Sequence, residues 1–149
     1  MEIKPLIYIA GAISPTNPNK HPLLEWGENF DRFLKADIKL RKLGFAPYNP
    51  SLDYMLLMYA AELDITPKFF YSVSLSVLSK CEAMFVLKGW NNSRGTQKEI
   101  WFCEKNGIKI FFEELNGYKE IEKYFKERSK KDETKKKNRT EVPLLRKKA

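Results

Sequence analysis

Four short apolar runs, each separated from the next by enough chain for a helix, constrain this sequence more than any other feature. They are Leu6-Ile7-Tyr8-Ile9-Ala10, Phe45-Ala46-Pro47-Tyr48, Ala83-Met84-Phe85-Val86-Leu87 and Ile108-Lys109-Ile110-Phe111-Phe112. Runs of this length with few polar interruptions read as strands buried on both faces. Alternation of such strands with helices argues an α/β fold, a single doubly wound, flavodoxin- or Rossmann-like parallel sheet of four to five strands with right-handed crossovers.

The intervening segments carry helix signals. After a loop from Ala12 to Pro22, Phe30, Phe33, Leu34, Ile38, Leu40 and Leu43 recur at mostly helical spacing and are expected to face inward, with a stop at Gly44. Pro47 marks the second strand as an edge strand, and Asn49-Pro50 ends it in a turn. Residues 51 to 65 contain Leu52, Tyr54, Met55, Leu56, Leu57, Met58 and Tyr59, apolar nearly all round, which predicts a core helix or one that contacts a second subunit. Pro67 opens a helix in which Phe70, Val73, Leu75, Val77 and Leu78 pack inward, and another runs from about Gly95 to Asn106 and stops at Gly107. A last helix is marked by Tyr118, Ile121, Tyr124 and Phe125.

At 149 residues and 43% hydrophobic, the chain suits one core. The net charge of +8 is unevenly placed, because residues 129 to 149 hold nine basic and three acidic side chains. We expect an α/β domain over residues 1–128 and a basic, flexible tail over 129–149, a solvated extension or a nucleic-acid arm without aromatic interleaving. No apolar run approaches the roughly 20 residues that span a bilayer, and the first residues lack the order of a signal peptide, so a soluble, cytoplasmic protein without a membrane partner is expected. Cys81 and Cys103 lack metal or redox spacing and read as reduced thiols. With His21 as the one histidine, neither a zinc site nor a His-based triad can be assembled. Any chemistry falls to carboxylates, hydroxyls and backbone amides.

Two loops can carry it, because those after strands one and three lie side by side at the switch point of such a sheet. The first is Gly11-Ala12-Ile13-Ser14, where Gly11 permits close approach of a ligand, or serves only the turn, and Ser14 offers a hydroxyl. In the second, Ser93-Arg94-Gly95-Thr96 places a hydroxyl, a cation and free helix-start amides where a phosphate can settle. Neither a Walker lysine nor a G-x-G-x-x-G motif is present, which removes support for kinase, GTPase and dehydrogenase readings. Glu99 lies one turn past Gly95, where the helix dipole favours its ionised, nucleophilic form; alternatively, Thr96-x-x-Glu99 is an ordinary capping box. Trp90 can stack on a base or simply pack, and Arg94 can pair with a phosphate or sit in solvent.

These residues resemble the nucleoside 2-deoxyribosyltransferase-like superfamily, which includes deoxynucleoside-monophosphate N-glycosidases and phage-borne domains. The resemblance rests on Ile7 to Ser14, Gly44 with Asn49-Pro50, Cys81-Glu82-Ala83, Gly89-Trp90 and Ser93-x-Gly95-Thr96-x-x-Glu99, and covers about residues 5 to 112. It implies that Glu99 attacks the sugar C1′, that Tyr8 stands beside it, and that Gly11, Ser93 and Gly95 are ligand-loop positions. It further implies a covalent glycosyl-enzyme passed to a base or to water, no metal or organic cofactor, a small nucleoside or nucleotide as ligand, and a homodimer or larger homo-oligomer. One position departs from the pattern: Ser74 stands where the family often has an aspartate that protonates the leaving base. Asp53, Asp64 or Glu62 can substitute, with Asp53 preferred because it follows Asn49-Pro50; otherwise solvent assists the base, or catalysis is lost. Three readings follow: a glycosyl-transferring enzyme, a non-catalytic nucleotide-binding module, and a nucleic-acid-associated protein acting through its tail.

Overall fold

The computed structural model describes residues 1–57 and 66–140. Its element order is β1 (Leu6–Ala10), α1 (Pro22–Lys42), β2 (Ala46–Tyr48), α2 (Asp53–Leu57), α3 (Pro67–Leu78), β3 (Ala83–Val86), α4 (Arg94–Asn106), β4 (Lys109–Phe112) and α5 (Gly117–Thr140). The four strands pair in the order β2-β1-β3-β4, all parallel, so the expected doubly wound sheet is present with β2 at an edge. The strand order changes direction between β1 and β3, which makes that the switch point.

Side-chain alternation along the strands divides the core into two layers. Ile7, Ile9, Phe85 and Leu87 pack with Phe33, Ala36 and Leu40 of α1 and with Ile121 and Phe125 of α5. Tyr8, Ala10, Met84 and Val86 pack with Leu78 of α3 and Cys103 of α4. Both cysteines are free and buried, and burial pushes each thiol up to about 12. Helices α1 and α4 end alike: Gly44 (φ 93°) and Gly107 (φ 68°) take the left-handed conformation, which lets Phe45 N–H reach Leu40 O at 3.1 Å and Ile108 N–H reach Cys103 O at 2.9 Å.

Four expectations need correction. Leu34 and Ile38 are exposed, because the face of α1 that meets the sheet runs through Phe33, Ala36, Asp37 and Leu40, one position to the side. On α3, Leu78 is fully buried and Leu75 and Val77 pack against the same core as expected, whereas Phe70 faces a cavity. In the segment 51–65, α2 is described to Leu57, with Leu52 and Leu56 exposed, and Met58 and Tyr59 lie outside the described residues. Finally, α5 continues through residue 129 to Thr140, so the flexible tail expected from 129 is helical over 129–140, exposed throughout, with 141–149 outside the described residues. Its composition explains this, since lysine and glutamate are strong helix formers that need no burial. The last buried residue of α5 is Phe125, and Arg128 then bonds Glu82 at 2.8 Å.

Candidate active site

The carboxyl ends of β1, β2 and β3 open onto a cavity of about 360 Å³, a size suited to a small organic ligand. Its centre is set by Tyr8. As an alternate residue of a central strand this side chain is fully buried on the α3/α4 face, and its hydroxyl donates to Glu99 Oε1 at 2.7 Å across 91 residues of sequence.

The start of α4 delivers Glu99 to that position. Ser93 is the N-cap, its Oγ accepting from Thr96 N at 3.2 Å and from Thr96 Oγ1 at 3.0 Å. The capping-box reading of Thr96 and Glu99 is therefore overturned. With Ser93 outside the helix, Glu99 stands in the second turn and meets Tyr8. Its expected ionisation by the helix dipole is also corrected: the dipole acts within the first turn, whereas burial at 8% exposure raises the Glu99 carboxyl to about 7, the Tyr8 hydrogen bond opposing. Burial, then the Glu99 charge, raises the Tyr8 phenol well above its ordinary value, so Tyr8 remains a donor. An acid tuned near neutrality can hold a proton or act as a nucleophilic carboxylate.

The loop after β1 supplies one wall through Gly11, Ile13, Ser14 and Thr16. Helix α1 pins it: Asn29 Nδ2 donates to Ile13 O at 3.1 Å, while Thr16 N and Asn17 N donate to Glu25 Oε1 and Oε2, each at 3.0 Å. The Thr16 amide above all holds the Glu25 carboxyl below the usual carboxylate range. At Gly11 a Cβ would stand 3.1 Å from Leu87 Cβ, so the absent side chain also serves the packing of β1 against the end of β3.

The loop after β3 supplies Asn92, Ser93, Arg94, Gly95 and Thr96. The Arg94 and Gly95 amides open the helix and have no intrahelical carbonyl to bond, and Ser93 Oγ, accepting twice from Thr96, keeps its own proton to donate. This side can receive an anion. The opposite side is aromatic: Asp53 and Tyr54 after β2, and Phe70, Tyr71 and Ser74 from α3. Tyr48 donates its hydroxyl to Asp53 Oδ2, and burial raises the Tyr71 phenol, with the Glu99 charge adding to the effect.

Of the residues named from sequence, Tyr8, Gly11, Ile13, Ser14, Asp53, Ser93, Arg94, Gly95, Thr96 and Glu99 line this one cavity, as does Ser74. Trp90 is placed elsewhere: its Nε1 donates to Glu114 Oε1 at 3.1 Å and its ring tilts against Phe112 with centroids 5.6 Å apart. Asp64 and Glu62 lie outside the described residues. Sequence reasoning missed Thr16, Tyr54 and Tyr71 as lining residues and Tyr48 as a partner of one. Tyr48 ends β2 and is the register partner of Tyr8 across the β1–β2 ladder. Among the described residues, no three His, Cys, Asp or Glu side chains are grouped to hold a metal ion, and no helix is long and apolar enough to cross a membrane.

No curated protein matches the chain significantly. Among solved structures, a 2-deoxyribosyltransferase from the psychrotolerant bacterium Bacillus psychrosaccharolyticus is similar at 18% identity, covering 72% of this chain and 70% of its own, with a TM-score of 0.46. The family described as a domain of unknown function, DUF4406, matches residues 5–112, a span that holds every strand among the described residues and the cavity lining. The chain belongs to the DUF4406 family.

Proposed function

We propose that the cavity binds a nucleoside or nucleoside 5′-monophosphate and that Glu99 cleaves its N-glycosidic bond. The observation that carries this reading is the buried Tyr8–Glu99 pair, 2.7 Å apart, between the loops after β1 and β3. Tyr8 bonds Oε1, which leaves Oε2 to attack C1′. A bond forms from this oxygen to C1′, the C1′–N bond breaks, and its electron pair leaves on the base nitrogen, which takes a proton from water. Water or a second base then attacks C1′ and releases the Glu99 carboxylate, so the sugar keeps its configuration after two inversions. Ser93, Arg94 and the first amides of α4 serve the 5′ end, and their donor character supports a monophosphate over a free nucleoside.

Incubation with deoxynucleosides and their monophosphates, with and without acceptor bases, tests the reading by chromatography of free base. Base release that disappears in Glu99→Ala is expected; no release, or release unchanged in that variant, would contradict it. One observation favours a second reading, a nucleotide-binding module without catalysis: Ser74 presents a hydroxyl, not an acid, to the cavity. Nucleotide binding by calorimetry that survives Glu99→Gln, with no base release from the wild type, would select it. Exposed Leu52 and Leu56 near the cavity support a homo-oligomer, and sedimentation of the intact chain above the monomer mass tests that.

A further inference from the structure

Tyr8 has a counterpart one strand away. Tyr8 and Tyr48 are register partners in the β1–β2 ladder, their rings stack with centroids 5.6 Å apart at 30°, and each donates its hydroxyl to a carboxylate in the same cavity. Glu99 receives the first bond and Asp53 the second.

The turn that presents Asp53 is well fixed. Asn49 Oδ1 accepts from Ser51 N at 3.1 Å and from Ser51 Oγ at 2.6 Å, which holds the chain between the end of β2 and the start of α2. Tyr48 then takes Oδ2 of Asp53, a residue that lines the cavity, and leaves Oδ1 outside that bond. Burial raises the Tyr48 phenol further from ionisation, so this hydroxyl is a lasting donor.

The strand order gives the cavity a direction. Asp53 and Tyr54 follow β2 at the sheet edge, Tyr8 and Gly11 belong to β1, and Ser93 to Gly95 follow β3 beyond it. A nucleoside whose sugar is at Glu99 and whose 5′ end meets the amides after β3 extends its base toward β2. There Tyr54 and Phe70 offer aromatic faces and Asp53 offers an acceptor edge.

We propose that Asp53, held by Tyr48, reads the base and selects one with an exocyclic amino group over its oxo counterpart. This rests on the nucleoside reading above. A carboxylate oxygen can accept only, so it bonds an amino N–H and opposes a carbonyl oxygen at the same place. Asp53 is here a specificity residue and Tyr48 a positioning residue that orients it.

Two ligand pairs that exchange the exocyclic amino group for an oxo group, the adjacent ring nitrogen changing from acceptor to N–H donor with it, make the test: 2′-deoxyadenosine against 2′-deoxyinosine, and 2′-deoxycytidine against 2′-deoxyuridine, each as the nucleoside and as its 5′-monophosphate. Affinities are measured by calorimetry, and base release by chromatography, for the wild type, Asp53→Asn and Tyr48→Phe. The wild type is expected to bind the amino member of each pair about 10- to 100-fold more tightly, the effect of one hydrogen bond to a charged group. Asp53→Asn, whose amide can donate or accept, should bring both ratios close to one, and Tyr48→Phe should lower them partway. Equal affinities within the pairs, an oxo preference, or ratios unchanged in Asp53→Asn would overturn the proposal. Glu99-dependent base release without an amino preference overturns base selection alone. An amino preference without base release overturns the proposed reaction alone, and no binding of any of these nucleosides or monophosphates overturns both.

Discussion

The cavity contains two tyrosine–carboxylate pairs built on neighbouring strands, and they differ in burial. Tyr8 is fully buried and Glu99 is 8% exposed, whereas Tyr48 and Asp53 are half-buried. Burial raises Glu99 to about 7. The same chemical pairing thus gives two different tools. A desolvated carboxylate near neutrality suits attack on carbon, while a carboxylate at the wetter edge suits recognition.

The largest expected effect falls on the buried pair. Glu99→Gln keeps the shape and an acceptor for Tyr8 but removes the nucleophile, and base release should drop by about 10³-fold or more, measured as kcat/KM. A smaller loss with unchanged pH dependence would break the contrast between the pairs. Tyr8→Phe should cost about 10- to 100-fold in kcat, the range for a charge-assisted hydrogen bond. The Tyr8 bond lowers the Glu99 pKa against burial. Its loss should therefore move the acid limb of the pH–rate profile to higher pH, whereas Tyr48→Phe should leave that limb in place.

The sign of that limb follows from Glu99. The nucleophile is the carboxylate, so kcat/KM for the free enzyme should rise with pH through about 7 and fall off below it. Stability runs the other way. The folded pKa of about 7 exceeds the ordinary 4.5, so between these values the folded state binds more protons than the unfolded chain. Stability then declines as pH rises through this window, and the penalty is fully developed above about 7. Glu99→Gln should accordingly be more stable than the wild type at pH 8, by roughly 1–3 kcal/mol, with the gain absent near pH 4. Asp53→Asn should shift stability by about 0.5 kcal/mol or less at pH 8, as expected of a substitution at a partly exposed site. Urea titration checks both, and a stability gain at Asp53 equal to that at Glu99 would erase the distinction.

Much of the fold was legible because its signals are local. The apolar run of β1 and the Gly107 stop of α4 needed no knowledge of distant residues. The failures involve long-range partners or a choice between local alternatives. Ser93 and Thr96 are both good caps, and sequence cannot tell which stands outside the helix; choosing Thr96 would put Glu99 in a capping box, whereas Ser93 frees it for Tyr8. Trp90 was misplaced because its partner, Glu114, lies 24 residues away. The ionisation of Glu99 was misjudged because helix position is visible in sequence and burial is not. The length of α5 was missed because its charges were read as a sign of solvation, when a solvated helix has the same composition.

Mass spectrometry of the acid-quenched protein during turnover of 2′-deoxyadenosine and its monophosphate tests the central claim most directly. We predict a fraction of the chain carrying one added deoxyribosyl or deoxyribosyl-phosphate group, mapped by fragmentation to Glu99 and absent from Glu99→Gln. Base release with no such adduct, or an adduct on any other residue, would contradict the account.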